Sequence, residues 1–148
     1  MATKFYLCPI CGNVIVKVED SGVTPHCCGK EMVQLRAGEV DASKEKHVPV
    51  FERLDKCKVR VKVGSEPHPM TPEHHINFIW LETVHGGQLR YLSMDSVIAP
   101  EAEAEFCTCE DPVVAVYSYC NLHGLWKLEV NESASGKCCT RTDKWHCK

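Results

Sequence analysis

A cysteine and a histidine stand three residues apart in Tyr119-Cys120-Asn121-Leu122-His123-Gly124-Leu125-Trp126, at a turn between two apolar runs. One thiolate and one imidazole at that spacing can share a metal ion, although Cys-x-x-His alone is a common pattern. Further imidazoles stand upstream, in Glu45-Lys46-His47-Val48-Pro49 and in His68-Pro69-Met70-Thr71-Pro72-Glu73-His74-His75-Ile76, enough for a site of four histidines and one cysteine. A second donor set opens the chain: Cys8-Pro9-Ile10-Cys11-Gly12 and Pro25-His26-Cys27-Cys28-Gly29. Four thiolates suit iron or zinc equally well. The glycine after each cysteine pair permits a left-handed turn that aims backbone N–H groups at the sulfurs.

These separated motifs, in this order, resemble the superoxide reductases, and the N-terminal cysteines narrow the resemblance to the two-iron desulfoferrodoxin type, a desulforedoxin-like domain followed by a neelaredoxin-like one. The resemblance implies one iron on Cys8, Cys11, Cys27 and Cys28, and a second on His47, His68, His74, His123 and Cys120. It implies one-electron reduction of superoxide to hydrogen peroxide at the second iron. The family further implies that Glu45 occupies the sixth position of the oxidised iron and that Lys46 attracts superoxide and helps to protonate the bound intermediate. A small electron donor such as rubredoxin and a homodimer are implied as partners. On the residues alone, a non-catalytic two-iron electron-transfer protein and a zinc-stabilised interaction module stay open. The charges favour the enzyme: ferrous iron with four neutral imidazoles and one thiolate carries about +1 and keeps a vacancy, whereas a four-thiolate ferrous site carries about -2 and has none.

The elements that must position these groups read as strands. Residues 1–36 bracket the alternating run Val14–Glu19 with the two cysteine pairs, and this unit is too short for an apolar core without a metal. Residues 37–148 form the second domain. Cys57-Lys58-Val59-Arg60-Val61-Lys62-Val63 alternates strictly, which places Cys57 with the three valines as a core cysteine. Ile76–Thr83 is apolar on both faces, Gly86-Gly87 reads as the turn leading to Gln88–Met94, and Val113–Tyr119 pairs with Leu125–Val130 across the Cys120 turn. Short strands at regular spacing, without an amphipathic helix, predict an all-β chain whose second domain is an antiparallel sandwich. The family's immunoglobulin-like sandwich agrees.

Strand parity bears on the adjacent histidines. If the strand beginning near His74 alternates, His74 shares a face with Ile76, Phe78 and Trp80, and His75 points the other way with Asn77 and Glu73. His26, His85 and His146 are expected in loops, and Trp80 and Trp126 in the core. The N–H groups of Asn121, Leu122 and His123 are candidates to hydrogen-bond the Cys120 sulfur.

Composition fits a soluble globular protein: 148 residues, 44% hydrophobic and 25% charged, with a formal net charge of -3. That charge gives no basis for nucleic-acid binding, and no apolar run reaches transmembrane length. The N-terminus reaches Cys8 before a signal segment could form, so a cytoplasmic chain is expected. There, many of its 11 cysteines read as metal ligands or redox groups. Cys107-Thr108-Cys109, Cys138-Cys139 and Cys147 fall outside the family pattern. A hairpin turning at Cys120–Gly124 brings the first two groups to one end, roughly 20 Å from the turn. They read as a third tetrahedral metal site, a reversible disulfide, or surface thiols.

Overall fold

The computed structural model describes residues 3–92, 94, 101–109 and 111–133. The chain divides into two compact units, Met1–Ala37 and Gly38–Lys148.

In the first unit, β1 (Lys4–Leu7) lies between β2 (Val14–Lys17) and β5 (Val33–Leu35), and β3 (His26–Cys27) pairs with β4 (Lys30–Glu31). Every pairing is antiparallel. A small apolar cluster here is Tyr6, Cys8 and Met32, with Cys27 packed against them. Two ligand candidates therefore belong to the core itself, as expected of a unit too small to fold on apolar burial alone. The Asp20 carboxylate accepts from Lys4 and Lys17, joining the outer ends of β1 and β2. His26, expected in a loop, instead sits exposed on β3.

The second unit is a sandwich of two antiparallel sheets. One has the order β10 (Glu103–Cys107), β7 (Lys58–Val63), β6 (Pro49–Arg53); the other has β12 (Gly124–Glu129), β11 (Val113–Cys120), β8 (Ile76–Thr83), β9 (Gly86–Tyr91). Val59, Val61 and Val63 from one sheet meet Ile76, Ile79, Leu81, Val113, Val116 and Cys120 from the other, with Phe106 among them. The valine alternation thus does face the core. Cys57 does not join it: it lies half-buried just ahead of β7 and is disulfide-bonded. One helix precedes β6, the single turn α1 (Lys44–His47). It is too short to leave a helical period in the sequence.

Two expectations are corrected at β8. The two-residue turn is Val84-His85, because Gly86 and Gly87 already pair with Thr83 and Glu82. Asp111 fastens that turn, accepting from Thr83 Oγ1 at 2.6 Å and from the backbone N–H of His85 at 3.1 Å. Gly87 is needed for packing: a Cβ there would stand 2.1 Å from the Trp80 ring. Strict alternation also fails, since the register slips between Tyr119↔Phe78 and Cys120↔Ile76. This β-bulge leaves Ile76 in the core with Ile79 and Leu81, while Phe78 stacks on Tyr119 at 5.4 Å.

Candidate metal centres

In the first unit the sulfurs of Cys8, Cys11, Cys27 and Cys28 all lie within 4.8 Å of one another. Gly12 (φ 79°) and Gly29 (φ 71°) take left-handed turns, and Cys28 does so as well at φ 53°. The first turn aims the Cys11 N–H at the Cys8 sulfur, 3.5 Å away. That donor is the main reason the Cys8 thiol is drawn down to about 6. Cys28 is pushed up to about 12, first by Cys11 and then by Cys27 and Cys8. Four sulfurs this close cannot all ionise alone, so a cation is what would let them act as thiolates together.

The second cluster forms where β11 ends. Cys120 is its last residue, fully buried, and the turn into β12 carries His123. His47, the last residue of α1, is also buried, and its Nε2 lies 3.0 Å from His123 Nδ1. The Cys120 sulfur is 3.7 Å from that same Nδ1. Donor atoms of His47, His74, Cys120 and His123 lie within 4.8 Å of one another. His68 completes the ring, its centroid 4.7 Å from His47 and 4.6 Å from His74.

Backbone contacts choose which nitrogen each ring presents. His47 Nδ1 engages the Ser43 carbonyl at 2.6 Å and His68 Nδ1 the Pro69 carbonyl at 2.7 Å, which leaves Nε2 inward on both rings. The Nε2 atoms of His68 and His74 are buried without a hydrogen-bond partner. Buried ring nitrogens that meet no donor or acceptor are what a metal ion would satisfy. Burial lowers the pKa of His47, of His74 and of His68, the last to about 4, so all three are neutral and able to ligate near pH 7. Burial pushes the Cys120 thiol up, and the N–H groups of Leu122 and His123 oppose it. The Asn121 N–H does not serve the sulfur; it donates to the His75 carbonyl at 3.1 Å.

Residues outside the ligand set hold this cluster together. Asn121 Oδ1 accepts from the His75 N–H at 2.9 Å and its amide donates to the Glu73 carbonyl at 2.9 Å, stapling the segment that carries His74 to the Cys120 turn. Ser118 donates to the His47 carbonyl at 2.9 Å from inside β11. Trp126 stacks on His47 at 5.0 Å and donates to the His123 carbonyl. His75 stays out of the cluster: its Nδ1 meets the Thr71 carbonyl and its Nε2 the Asn77 amide. Glu45 and Lys46 are exposed on α1, with the Glu45 carboxylate accepting from Ser43 at 2.9 Å. The Lys46 charge is close enough to disfavour protonation of both His47 and His74.

A nearly all-β fold with a four-cysteine cluster in one unit and a histidine–cysteine cluster in the other defines a protein with two separate sites suited to transition metals. A family model described as Desulfoferrodoxin matches residues 39–129. The chain is 42% identical over 126 residues to a desulfoferrodoxin from Nitratidesulfovibrio vulgaris, covering 85% of this chain and 95% of that one. A superoxide reductase from Pyrococcus horikoshii is 42% identical over 111 residues, 65% of this chain and 93% of its own. Among solved structures, the superoxide reductase from Treponema pallidum matches with a TM-score of 0.71 at 36% identity, over 87% of this chain and 100% of that one. The chain belongs to the desulfoferrodoxin family.

Proposed function

We propose that this chain is a superoxide reductase that transfers one electron to superoxide, taking up two protons to give hydrogen peroxide. The observation that carries this reading is the convergence of His47, His74, His123 and Cys120 within 4.8 Å, with His68 against them and two buried Nε2 atoms otherwise unsatisfied. His47, His68, His74 and Cys120, with His123, would hold one iron; Cys8, Cys11, Cys27 and Cys28 would hold the other. When bound, the histidine-ligated iron supplies a one-electron donor of about +1 net charge with a vacant position. The four-thiolate site, without a vacancy, would serve electron transfer.

The chain's own residues supply the rest. Lys46, exposed and electrostatically felt at two ligand histidines, draws the anionic substrate and stands by to donate a proton. Glu45, on the same turn, is the carboxylate available to the oxidised centre. Trp126 stacked on His47 and the buried Cys120 wall off the inner side, so superoxide approaches from α1. Electrons come from a small carrier of the rubredoxin kind. The setting is the cytoplasm and the assembly a homodimer; among the described residues no helix is long and apolar enough to cross a membrane.

Stopped-flow mixing of reduced protein with superoxide tests the proposal. Wild-type protein should consume superoxide with stoichiometric oxidation of the second centre, and Cys120→Ser should lose that reaction while keeping the first-unit absorption. If wild-type protein holds both irons yet consumes no superoxide, it is an electron carrier and the proposal fails.

A further inference from the structure

The thiols of Cys107 and Cys109 belong to neither cluster. Cys107 ends β10, and Cys109 turns with φ 47°, a left-handed conformation that a non-glycine residue seldom takes. The turn brings the two sulfurs to 3.3 Å. Both carry thiols and both are half-buried, so a small oxidant can reach them.

The loop between them is fixed from several sides. The Cys57 carbonyl accepts from the N–H groups of Thr108 at 2.8 Å and Cys109 at 3.3 Å. Thr108 is buried, its carbonyl accepts from the Asp111 N–H at 2.9 Å, and its hydroxyl receives the Arg53 guanidinium at 3.4 Å. Gln88 donates to the Cys107 carbonyl at 2.7 Å. Arg53 is itself held by Glu132. A loop pinned this way keeps its strained residue and holds the sulfurs face to face. The sulfurs stand 3.3 Å apart, in direct contact, against about 2.0 Å in a disulfide bond. Cys57, whose carbonyl anchors the loop, is already disulfide-bonded, so oxidised sulfur is compatible with this end of the sheet. Cys138 and Cys139, which the sequence reading grouped with this pair, lie outside the described residues.

We propose that Cys107 and Cys109 form a reversible dithiol–disulfide couple oxidised by a hydroperoxide. One thiolate attacks the peroxide: an S–O bond forms, the O–O bond breaks, and the departing hydroxide takes a proton to become water. The second thiol attacks the resulting sulfenic sulfur, forming S–S and expelling a second water. Two electrons pass from the two sulfurs to one hydrogen peroxide, and a dithiol reductant returns the pair by two exchanges. The proposed reduction of superoxide would supply peroxide from the same molecule, but the couple rests only on the thiol pair.

The test adds hydrogen peroxide directly to the metal-loaded full chain without superoxide, so it is independent of superoxide reduction. Thiols are alkylated under denaturing conditions, and peptides are mapped before and after dithiothreitol. The expected result is a Cys107–Cys109 linkage, lighter by two hydrogens, that appears with peroxide and disappears with dithiothreitol. In Cys109→Ser, or in Cys107→Ser if the other sulfur attacks first, the remaining thiol should accumulate as a sulfenic acid trapped by dimedone. Equal alkylation of both thiols with and without peroxide overturns the proposal. So does linkage only to other cysteines, or protection that requires a third metal ion per chain. The wild-type mapping decides even if neither variant folds.

Discussion

Gly64, just beyond β7, holds the turn that carries His47, Lys46 and Glu45, and replacing it with alanine should dislodge that turn. Its φ is 84°, and a Cβ built there would stand 2.4 Å from the Glu66 carbonyl oxygen, 2.7 Å from the Glu45 carbonyl oxygen and 2.8 Å from the Lys46 carbonyl carbon. All three are backbone atoms, so no side chain can swing aside. The contacts drawing α1 onto this spot are the Gly64 N–H to the Val48 carbonyl at 3.1 Å and the Glu66 N–H to the Glu45 carbonyl at 3.1 Å. Restoring 3.0 Å from 2.7 Å at the Glu45 carbonyl oxygen requires α1 to shift by about 0.3 Å, beyond the roughly 0.2 Å that metal–ligand distances tolerate. The left-handed conformation costs about 1 kcal/mol for alanine, and the overpacking adds about 1–3 kcal/mol. A unit of this size should then melt roughly 10 °C lower.

Gly38→Ala is the matched comparison. Gly38 has φ 74° in the same unit, but nothing lies within 4 Å of the added Cβ, so only the conformational cost applies. Thermal melts and metal per chain, measured on both variants, separate the two effects. Gly64→Ala should lose the second centre's metal and absorption and keep the first. If the two variants melt within about 2 °C of each other and hold equal metal, the inferred pressure on α1 is wrong.

What the sequence discloses here is what short-range spacing can encode. The four N-terminal cysteines sit in two local turns, each closed by a glycine whose left-handed φ the pattern anticipates. Cys120 and His123 are likewise placed by one hairpin turn. The remaining histidines are a different matter, because nothing local says that His47, His68 and His74 converge on that turn; the family resemblance suggested it. Parity singled out His74 over His75, but the premise was faulty: the bulge between Phe78 and Ile76 breaks the alternation. His75 is set apart by its contacts to Thr71 and Asn77. Register shifts of this kind depend on the partner strand and leave no periodic trace. Gly87 carries the same lesson, since a glycine needed for room beside Trp80 looks in sequence like a glycine needed for a turn. Trp126, read as core, is only 3% exposed and also forms one wall of the histidine cluster, a double role that residue type alone does not reveal. Cys57, one step ahead of β7, continues the valine period without belonging to it.

Cys11→Ser should remove the first unit's metal and absorption, because its sulfur lies 3.6 Å from Cys27 within a four-sulfur set; single-turnover superoxide reduction by chemically pre-reduced protein should persist, and its loss would show that the units are not chemically independent. In the metal-free protein, His68 has its pKa depressed from 6.5 to about 4, so the stability gained from keeping it neutral is present above pH 6.5 and fades as pH falls toward 4. Melts across that window should show the loss, and His68→Leu should lessen it; an unchanged slope in the variant would assign the acid sensitivity elsewhere. The last prediction concerns Lys46. Its charge already bears on His47 and His74, while its side chain reaches solvent, so it acts on an approaching anion through a medium that salt screens over about 8–10 Å. Lys46→Ala should therefore slow the second-order reaction with superoxide several-fold at low ionic strength and flatten its decline with added salt, and Lys46→Glu should reverse the sign of that dependence. Stopped-flow rates at a series of salt concentrations measure both. If Lys46→Ala reacts as fast as wild type with the same salt slope, the ammonium is a solvated surface charge and the field that draws superoxide inward arises from the metal centre alone.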